Sequence, residues 1–204
     1  MNNFILVRHA KVNAQAGLFG QTDIDVLPHE QQSLLSNLVE SSVKFERVIS
    51  SPLVRCAELA TLIEQRYQVP IEFDENIQEM NFGDYDGLTF DQMSAEQWQL
   101  MEQFWRHPAK VTLPNGESLA QFQARVVHAW QQIQQRQGNS LILAHGGVIR
   151  IIIAHILGLD WQQPQLYANL HIDNGSATHI QIHPQALQFA RLKAIGTSLK
   201  GILL

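Results

Sequence analysis

Short, wholly apolar runs alternate along this chain with longer stretches in which apolar residues recur every three or four positions. The first pattern reads as strands buried on both faces, the second as amphipathic helices. Strands are predicted over residues 3–7, 47–50, 71–73, 140–144, 177–183 and 187–195. Helices are predicted over 28–41, 52–67, 89–107, 117–137 and 147–157, with a short one near 164–169. This alternation predicts an α/β fold of three layers, a mostly parallel central sheet of about six strands flanked by helices. Only PQA separates the last two strands, so they are expected to form an antiparallel hairpin at one side of the sheet. Residues 74–114, rich in acids and aromatics, break the rhythm and read as a helical insertion over the carboxyl edge of the sheet, within a single domain spanning 1–204. The glutamines of WQQIQQRQG fall at helical spacing with Val126, Val127, Trp130 and Ile133 and read as a solvated helix face.

Three of these strands deliver polar groups at their carboxyl ends, where open α/β sheets bind ligands. FILVRHA ends in Arg8 and His9. RVISSPLVRCAELATLIE ends its strand at two serines; Ser51 is a natural N-cap and Pro52 suits the first helical position, which puts Arg55 on the first turn. NSLILAHGGVIRIII places His145 after its apolar run, and Gly146 and Gly147 let a helix start tightly behind it, offering free N–H groups and a positive dipole end. Arg8, Arg55, His9, His145 and the helix N-termini together suit a phosphate monoester, an anion of about two charges, because arginine holds phosphate oxygens through paired N–H donors. Nearby arginines would keep one of the histidines neutral and hence nucleophilic. Taken singly, a histidine after a strand is most often structural and Arg55 would be a surface helix residue. The coincidence at three strand ends is what points to a site.

Composition narrows the partners. With 204 residues, 45% of them hydrophobic and 16% charged, the chain can bury one sizeable core. A formal net charge of −5 offers no broad basic field, so nucleic acid is not an expected partner. The single cysteine, Cys56, cannot form an intrachain disulfide, which fits a reducing compartment. MNNFILVRHAKV lacks the basic-then-apolar pattern of a secretory leader, and the longest apolar run, GGVIRIIIAHILGL, is interrupted by Arg150 and His155 and too short to span a bilayer. The expectation is a cytoplasmic protein acting on a small molecule, with no membrane partner.

Rival phosphate chemistries lack their residues. A cysteine-nucleophile loop needs an arginine six residues after the cysteine, where this chain has Leu62; Cys56 reads as a small buried residue. The D-x-D of DIDV follows the turn-like FGQT rather than ending an apolar strand. No G-x-x-x-x-G-K-[ST] occurs, and the nine histidines form no H-E-x-x-H.

In order along the chain, RH, SSPLVRCAELA, EMNFGDYDG and HGGVIR resemble the motifs of the histidine phosphatase superfamily, with its phosphoglycerate mutase-like fold. The resemblance implies that His9 is transiently phosphorylated, that Arg8 and Arg55 hold the phosphoryl group, and that His145 stabilises it in transfer. It implies that Glu79, which opens EMNFGDYDG, protonates the leaving alkoxide and then activates water; Asp84 and Asp86 are the nearby rivals for that role. Gln21 in GQTD matches a polar residue of the phosphate pocket, and Gly146 lies beside His145 in the same pocket. No cofactor or metal is implied. The motifs EMNFGDYDG, LPNGES, HGGVIR, HIDNGS and RLKAIG further resemble the branch that dephosphorylates α-ribazole 5′-phosphate in cobalamin synthesis. Broad-specificity sugar-phosphate or phosphoglycerate phosphatases, or a mutase, are the alternatives. Trp98, Phe104 and Trp105 either stack on a flat leaving group or form a small core of their own.

The chain departs from the family pattern just after the nucleophile, where R-H-G-E-T is replaced by Arg8, His9, Ala10, Lys11 and Val12. Ala10 in place of glycine is tolerable only if the backbone there avoids positive φ. Lys11 reverses the usual charge, and Gln15 stands where asparagine is common. Ala10 and Lys11 are the only support for a third reading, a phosphate-binding protein that has lost catalysis.

Overall fold

In the computed structural model, which describes residues 1–202, the strands are β1 (Asn2–Arg8), β2 (Arg47–Ser50), β3 (Ile71–Phe73), β4 (Ser140–Ala144), β5 (Ala177–His183) and β6 (Ala186–Thr197). They form one sheet in the order β3-β2-β4-β1-β5-β6. The pairings β3–β2, β2–β4 and β4–β1 are parallel, whereas β5 runs antiparallel to both β1 and β6. The hairpin expected from the PQA spacing is therefore present, and it joins the sheet beside β1. Helices α1 (Pro28–Glu40), α2 (Val54–Tyr67), α3 (Ala95–Arg106), α4 (Leu119–Ile133), α5 (Gly146–Leu157) and α6 (Pro164–Ala168) complete the layers.

The continuous apolar runs are explained by burial on both faces of the sheet. Phe4 and Leu6 of β1 join Ile49 and Ile142 against Phe122, Val126 and Trp130 of α4 and Val148 and Ile152 of α5. The alternate residues Ile5 and Val7 join Val48, Leu141 and Leu143 against Leu34 and Leu38 of α1 and Leu59 and Ile63 of α2. Each fully buried aliphatic side chain contributes on the order of 1.5–3 kcal/mol. A polar substitution at Phe4 or Leu6 would therefore break one layer, and at Ile5 or Val7 the other.

Three helices differ from the periodicity-based expectation; one is α4, which spans Leu119–Ile133 rather than 117–137, with Ser118 as its N-cap. Helix α2 begins at Val54 rather than at Pro52, with Leu53 as its N-cap residue. Ser51 does not cap it through the usual bond; the N–H of Val54 donates to Asp23 Oδ1 at 2.7 Å, a carboxylate supplied from 31 residues upstream. The predicted helix over 89–107 is two pieces, a 3-10 turn at Phe90–Gln92 and α3, because Ser94 and Gln97 form a reciprocal capping box that starts a new helix. Between β3 and α4 the chain runs as 3-10 turns and α3. Asp86 fastens this segment to the loop after β1, accepting from the backbone N–H groups of Gly20, Gln21, Thr22 and Phe82 at 2.8–3.1 Å. Among the described residues no helix is long and apolar enough to cross a membrane.

Candidate active site

The register of β1 and β4 pairs Arg8 with Ala144, so the residues that follow, His9 and His145, emerge side by side. The N–H of His9 donates to the Ala144 carbonyl at 3.1 Å, and the two imidazole rings lie 5.2 Å apart. His9 Nδ1 is 2.7 Å from the carbonyl oxygen of its neighbour Ala10. A carbonyl only accepts, so Nδ1 carries the proton and Nε2 keeps its lone pair. Burial, then the Arg55 and Arg8 charges, push the His9 pKa down to about 3, against a weaker opposing effect of the Ala10 hydrogen bond. The ring is thus neutral at physiological pH. Ala10 is itself buried and is not among the residues with positive φ, which meets the condition its methyl group imposes. Arg8 donates from Nη1 to the Ile172 carbonyl at 2.6 Å, while its buried Nε has no partner.

Arg55, only 1% exposed, is more heavily engaged than a free phosphate clamp. Its Nη1 donates to the Thr22 carbonyl at 3.0 Å, its Nη2 to the carbonyls of Phe19 and Gly20, and its Nε to His145 Nδ1 at 3.2 Å. Because guanidinium only donates, His145 Nδ1 bears the lone pair and Nε2 the proton, which goes to Ser51 Oγ at 2.8 Å. The Ser51 side chain thus serves His145. Burial first, then Arg55, holds the His145 pKa well below the usual imidazole range.

Glu79 reaches the same place from the segment after β3. Its Oε2 accepts from the N–H of Gly147 at 2.9 Å, in the first turn of α5, and its Oε1 from the N–H of Met80 at 3.0 Å. A Cβ on Gly147 would overlap Glu79 Oε1, so the glycine is what lets the carboxylate approach the helix start. A Cβ on Gly146 would lie 3.5 Å from the Arg8 guanidinium, which puts Gly146 against the phosphate-pocket arginine. The rival acids are committed elsewhere: Asp86 to four backbone N–H groups, Asp84 to the Asn115 amide at 3.0 Å. Gln21 extends its amide to the Glu79 carbonyl at 3.5 Å.

His9, His145, Arg8, Arg55, Glu79, Gly146 and Gln21 therefore converge. Asp23 of DIDV is a helix cap, and burial pushes the Cys56 thiol up to about 12, an inert group. Residues without an assigned role in the sequence reading also reach the site. Asn174 of HIDNGS donates to the His9 carbonyl at 3.2 Å, and Arg150 of HGGVIR lines a cavity of 520 Å³ together with Glu79. The quoted motifs contained both; only tertiary contact gives them a function. Phe82, Phe104, Trp105, Phe122 and Tyr167 make up much of the cavity wall. Phe104 and Trp105 thus line a cavity, while Trp98 packs on Phe90 and Trp105 at 5.7 Å from each.

The sequence model of the histidine phosphatase superfamily (branch 1) matches residues 4–195. The chain belongs to the histidine phosphatase superfamily. A Hydrogenobacter thermophilus protein provisionally named phosphoserine phosphatase 2 is 30% identical over 187 residues, 89% of this chain and 90% of its own. The adenosylcobalamin/α-ribazole phosphatase of Escherichia coli K12 is 26% identical over 97% of both chains. The solved structure of the α-ribazole phosphatase from Shigella flexneri superimposes with a TM-score of 0.84 at 23% identity, over 99% of this chain and 100% of the other. As a histidine phosphatase with the phosphoglycerate mutase-like fold, the chain is a phosphomonoester hydrolase. The names of these relatives point to different substrates.

Proposed function

We propose that this histidine phosphatase works through a phosphohistidine at His9. The observation that carries the reading is the His9 tautomer: Nδ1 is tied to the Ala10 carbonyl, so the lone pair of Nε2 is left for the substrate beside the unpartnered Nε of Arg8. In the first step Nε2 attacks phosphorus, the bond to the ester oxygen breaks, and Glu79 gives its proton to the departing alkoxide. In the second, the Glu79 carboxylate takes a proton from water, the water oxygen attacks phosphorus, and the P–N bond breaks to release inorganic phosphate. A sugar alkoxide is a poor leaving group, which is why a positioned acid is needed. Arg8 and the start of α5 hold the phosphoryl oxygens. Arg55 acts through one remaining N–H and through His145, whose lone pair it fixes. Brief exposure to a labelled phosphate ester should leave acid-labile, base-stable label on the wild-type protein and none on His9→Ala. Full hydrolysis by His9→Ala would overturn the mechanism.

For the substrate we propose α-ribazole 5′-phosphate, a place in cobalamin synthesis and a cytoplasmic setting. The support is the aromatic cavity beside Glu79, which suits a flat heterocyclic leaving group. A second reading has its own observation. Arg150 lines that cavity and forms no ion pair among the described residues; its Nε is held by the Leu170 carbonyl at 2.8 Å. An unpaired cation there favours a leaving group bearing a carboxylate, such as phosphoserine or phosphoglycerate. Turnover of α-ribazole 5′-phosphate, phosphoserine, 3-phosphoglycerate and p-nitrophenyl phosphate under one set of conditions separates the two. Comparable rates on all four would sink the α-ribazole assignment.

A further inference from the structure

One partly buried ion pair outside the phosphate pocket grips the backbone of the segment that carries Glu79. Arg125, on α4, uses all five of its N–H donors. Nη1 donates to the carbonyls of Asn76 and Gln78 at 2.9 and 2.8 Å, and Nη2 to the carbonyl of Glu79 at 2.9 Å. Nη2 and Nε complete a two-pronged pair with Glu117, at 2.6 and 3.0 Å. Glu117 in turn accepts from the N–H of Asn81 at 2.8 Å and donates its own N–H to the Asn81 carbonyl at 3.0 Å. The pair therefore grips the chain on both sides of Glu79, at 76, 78 and 79 and again at 81. Its members keep only 19% and 14% of their side-chain surface exposed. Removing either would leave the charge of the other unpaired in a position partly shielded from water. The Arg125 guanidinium also lies 4.9 Å over the ring of Phe122, which lines the cavity beside Gly147.

We infer that Arg125, held by Glu117, is a positioning residue for proton transfer at Glu79. The proposed cycle needs Glu79 to lose a proton and regain one without leaving the start of α5. Glu79 accepts from the backbone N–H groups of Gly147 and Met80, and a carboxyl oxygen that carries a proton is a weaker acceptor, so these contacts loosen each time the acid is protonated. The segment that carries Glu79 lies just after a three-residue 3-10 turn, Glu75–Ile77, which gives it little regular structure of its own. A clamp on backbone carbonyls does not change when the side chain changes charge, and Arg125 supplies it. Lysine cannot, since a point charge with three donors has no planar fork to span three carbonyls and a carboxylate.

The inference rests on the proposed phosphohistidine mechanism, and leaving-group dependence tests it separately. Loss of a general acid slows esters of poor leaving groups and spares those of good ones. Arg125→Lys should lower kcat/KM for glycerol 2-phosphate, which reports the step in which the alkoxide leaves, on the order of 100-fold. Its kcat/KM for p-nitrophenyl phosphate should fall less than about fivefold, while kcat on that ester falls with the slower hydrolysis of phospho-His9, which needs Glu79 as the base. Glu79→Gln should show the same split, and the double variant should be no slower than Glu79→Gln alone, because the two act as one unit. Glu117→Gln, which retains an acceptor for Asn81 but not the charge, should reproduce the split in weaker form and covers the case that Arg125→Lys does not fold. Equal losses of kcat/KM on both esters, additive losses in the double variant, or no split in Glu79→Gln would overturn the positioning role. Label on His9 is read in the same proteins. Its absence from wild type would overturn the phosphohistidine reading instead, while its presence with equal losses would overturn only the clamp.

Discussion

At the scale of single residues, the site depends on keeping two imidazoles uncharged. His9 and His145 are buried next to arginines, and burial is the larger cause of the depressed pKa in both. An unfolded chain would protonate each near 6.5. A depressed folded-state pKa stabilises the native state fully above pH 6.5, and that stability is lost as pH falls toward about 3, the folded-state value for His9. In that window the unfolded chain takes up a proton that the native site refuses. Each histidine can add a slope of up to about 1.4 kcal/mol per pH unit. His9→Asn should therefore flatten the decline in unfolding free energy between pH 6 and 4, measured by urea titration at stepped pH. Identical slopes in the two proteins would mean that His9 is not held neutral. Arg55 shows how little a residue type reveals by itself. As a cation on a first helical turn it reads as an exposed ion-pair partner or a phosphate clamp, yet most of its donors are taken by backbone carbonyls and by His145.

At the scale of elements, the decisive junction is the start of α5 against the Glu79 segment. Gly147 has no side chain because Glu79 Oε1 fills the place of its Cβ, with Phe122 Cζ only 3.1 Å from that position. Gly147→Ala should gain helix propensity, up to about 1 kcal/mol, and lose the approach of the acid. The expected result is a melting temperature within a few degrees of wild type with kcat/KM on alkyl phosphates lowered at least tenfold. Gly147→Ser, which adds a larger group at the same place, should lower kcat/KM further, whereas Glu79→Gln combined with Gly147→Ala should be no slower than Glu79→Gln alone. Wild-type activity in Gly147→Ala would show that the close approach at Gly147 does not matter. The same junction shows what was legible in the sequence. The strands and α5 were, because apolar runs buried on both faces admit few alternatives. His9, His145 and Glu79 were, because each sits in a motif. The start of α2 was not, because its cap is Asp23, far away in sequence. Nor was Arg125, which lies beside the apolar stripe of Phe122, Val126 and Trp130 and reads as an ordinary polar flank until the 76–81 segment is folded against it.

At the scale of the whole molecule, the sheet and the segment before α4 do separate jobs. Strand ends carry the residues proposed for the phosphate chemistry, while α3, α4, α5 and α6 enclose the 520 Å³ cavity proposed to receive the leaving group. Specificity is therefore expected to change with the cavity wall and chemistry with the strand ends. Trp105 is the wall residue best suited to test this separation. It is 43% exposed, and it packs edge-on against Phe90 at 6.0 Å and Trp98 at 5.7 Å. Phe104, by contrast, is buried in the core, where truncation to alanine would cost about 3–5 kcal/mol and confuse binding with folding. Stacking of a flat base on an aromatic side chain contributes about 1–3 kcal/mol. Trp105→Ala should then raise KM for α-ribazole 5′-phosphate roughly tenfold, about 1.4 kcal/mol, with kcat within about twofold. The same variant should turn over 3-phosphoglycerate, which has no ring to stack, with KM changed less than about threefold. A KM shift shared equally by both esters would show that Trp105 supports the wall without contacting the leaving group, and no shift at all would remove the cavity from the account of specificity.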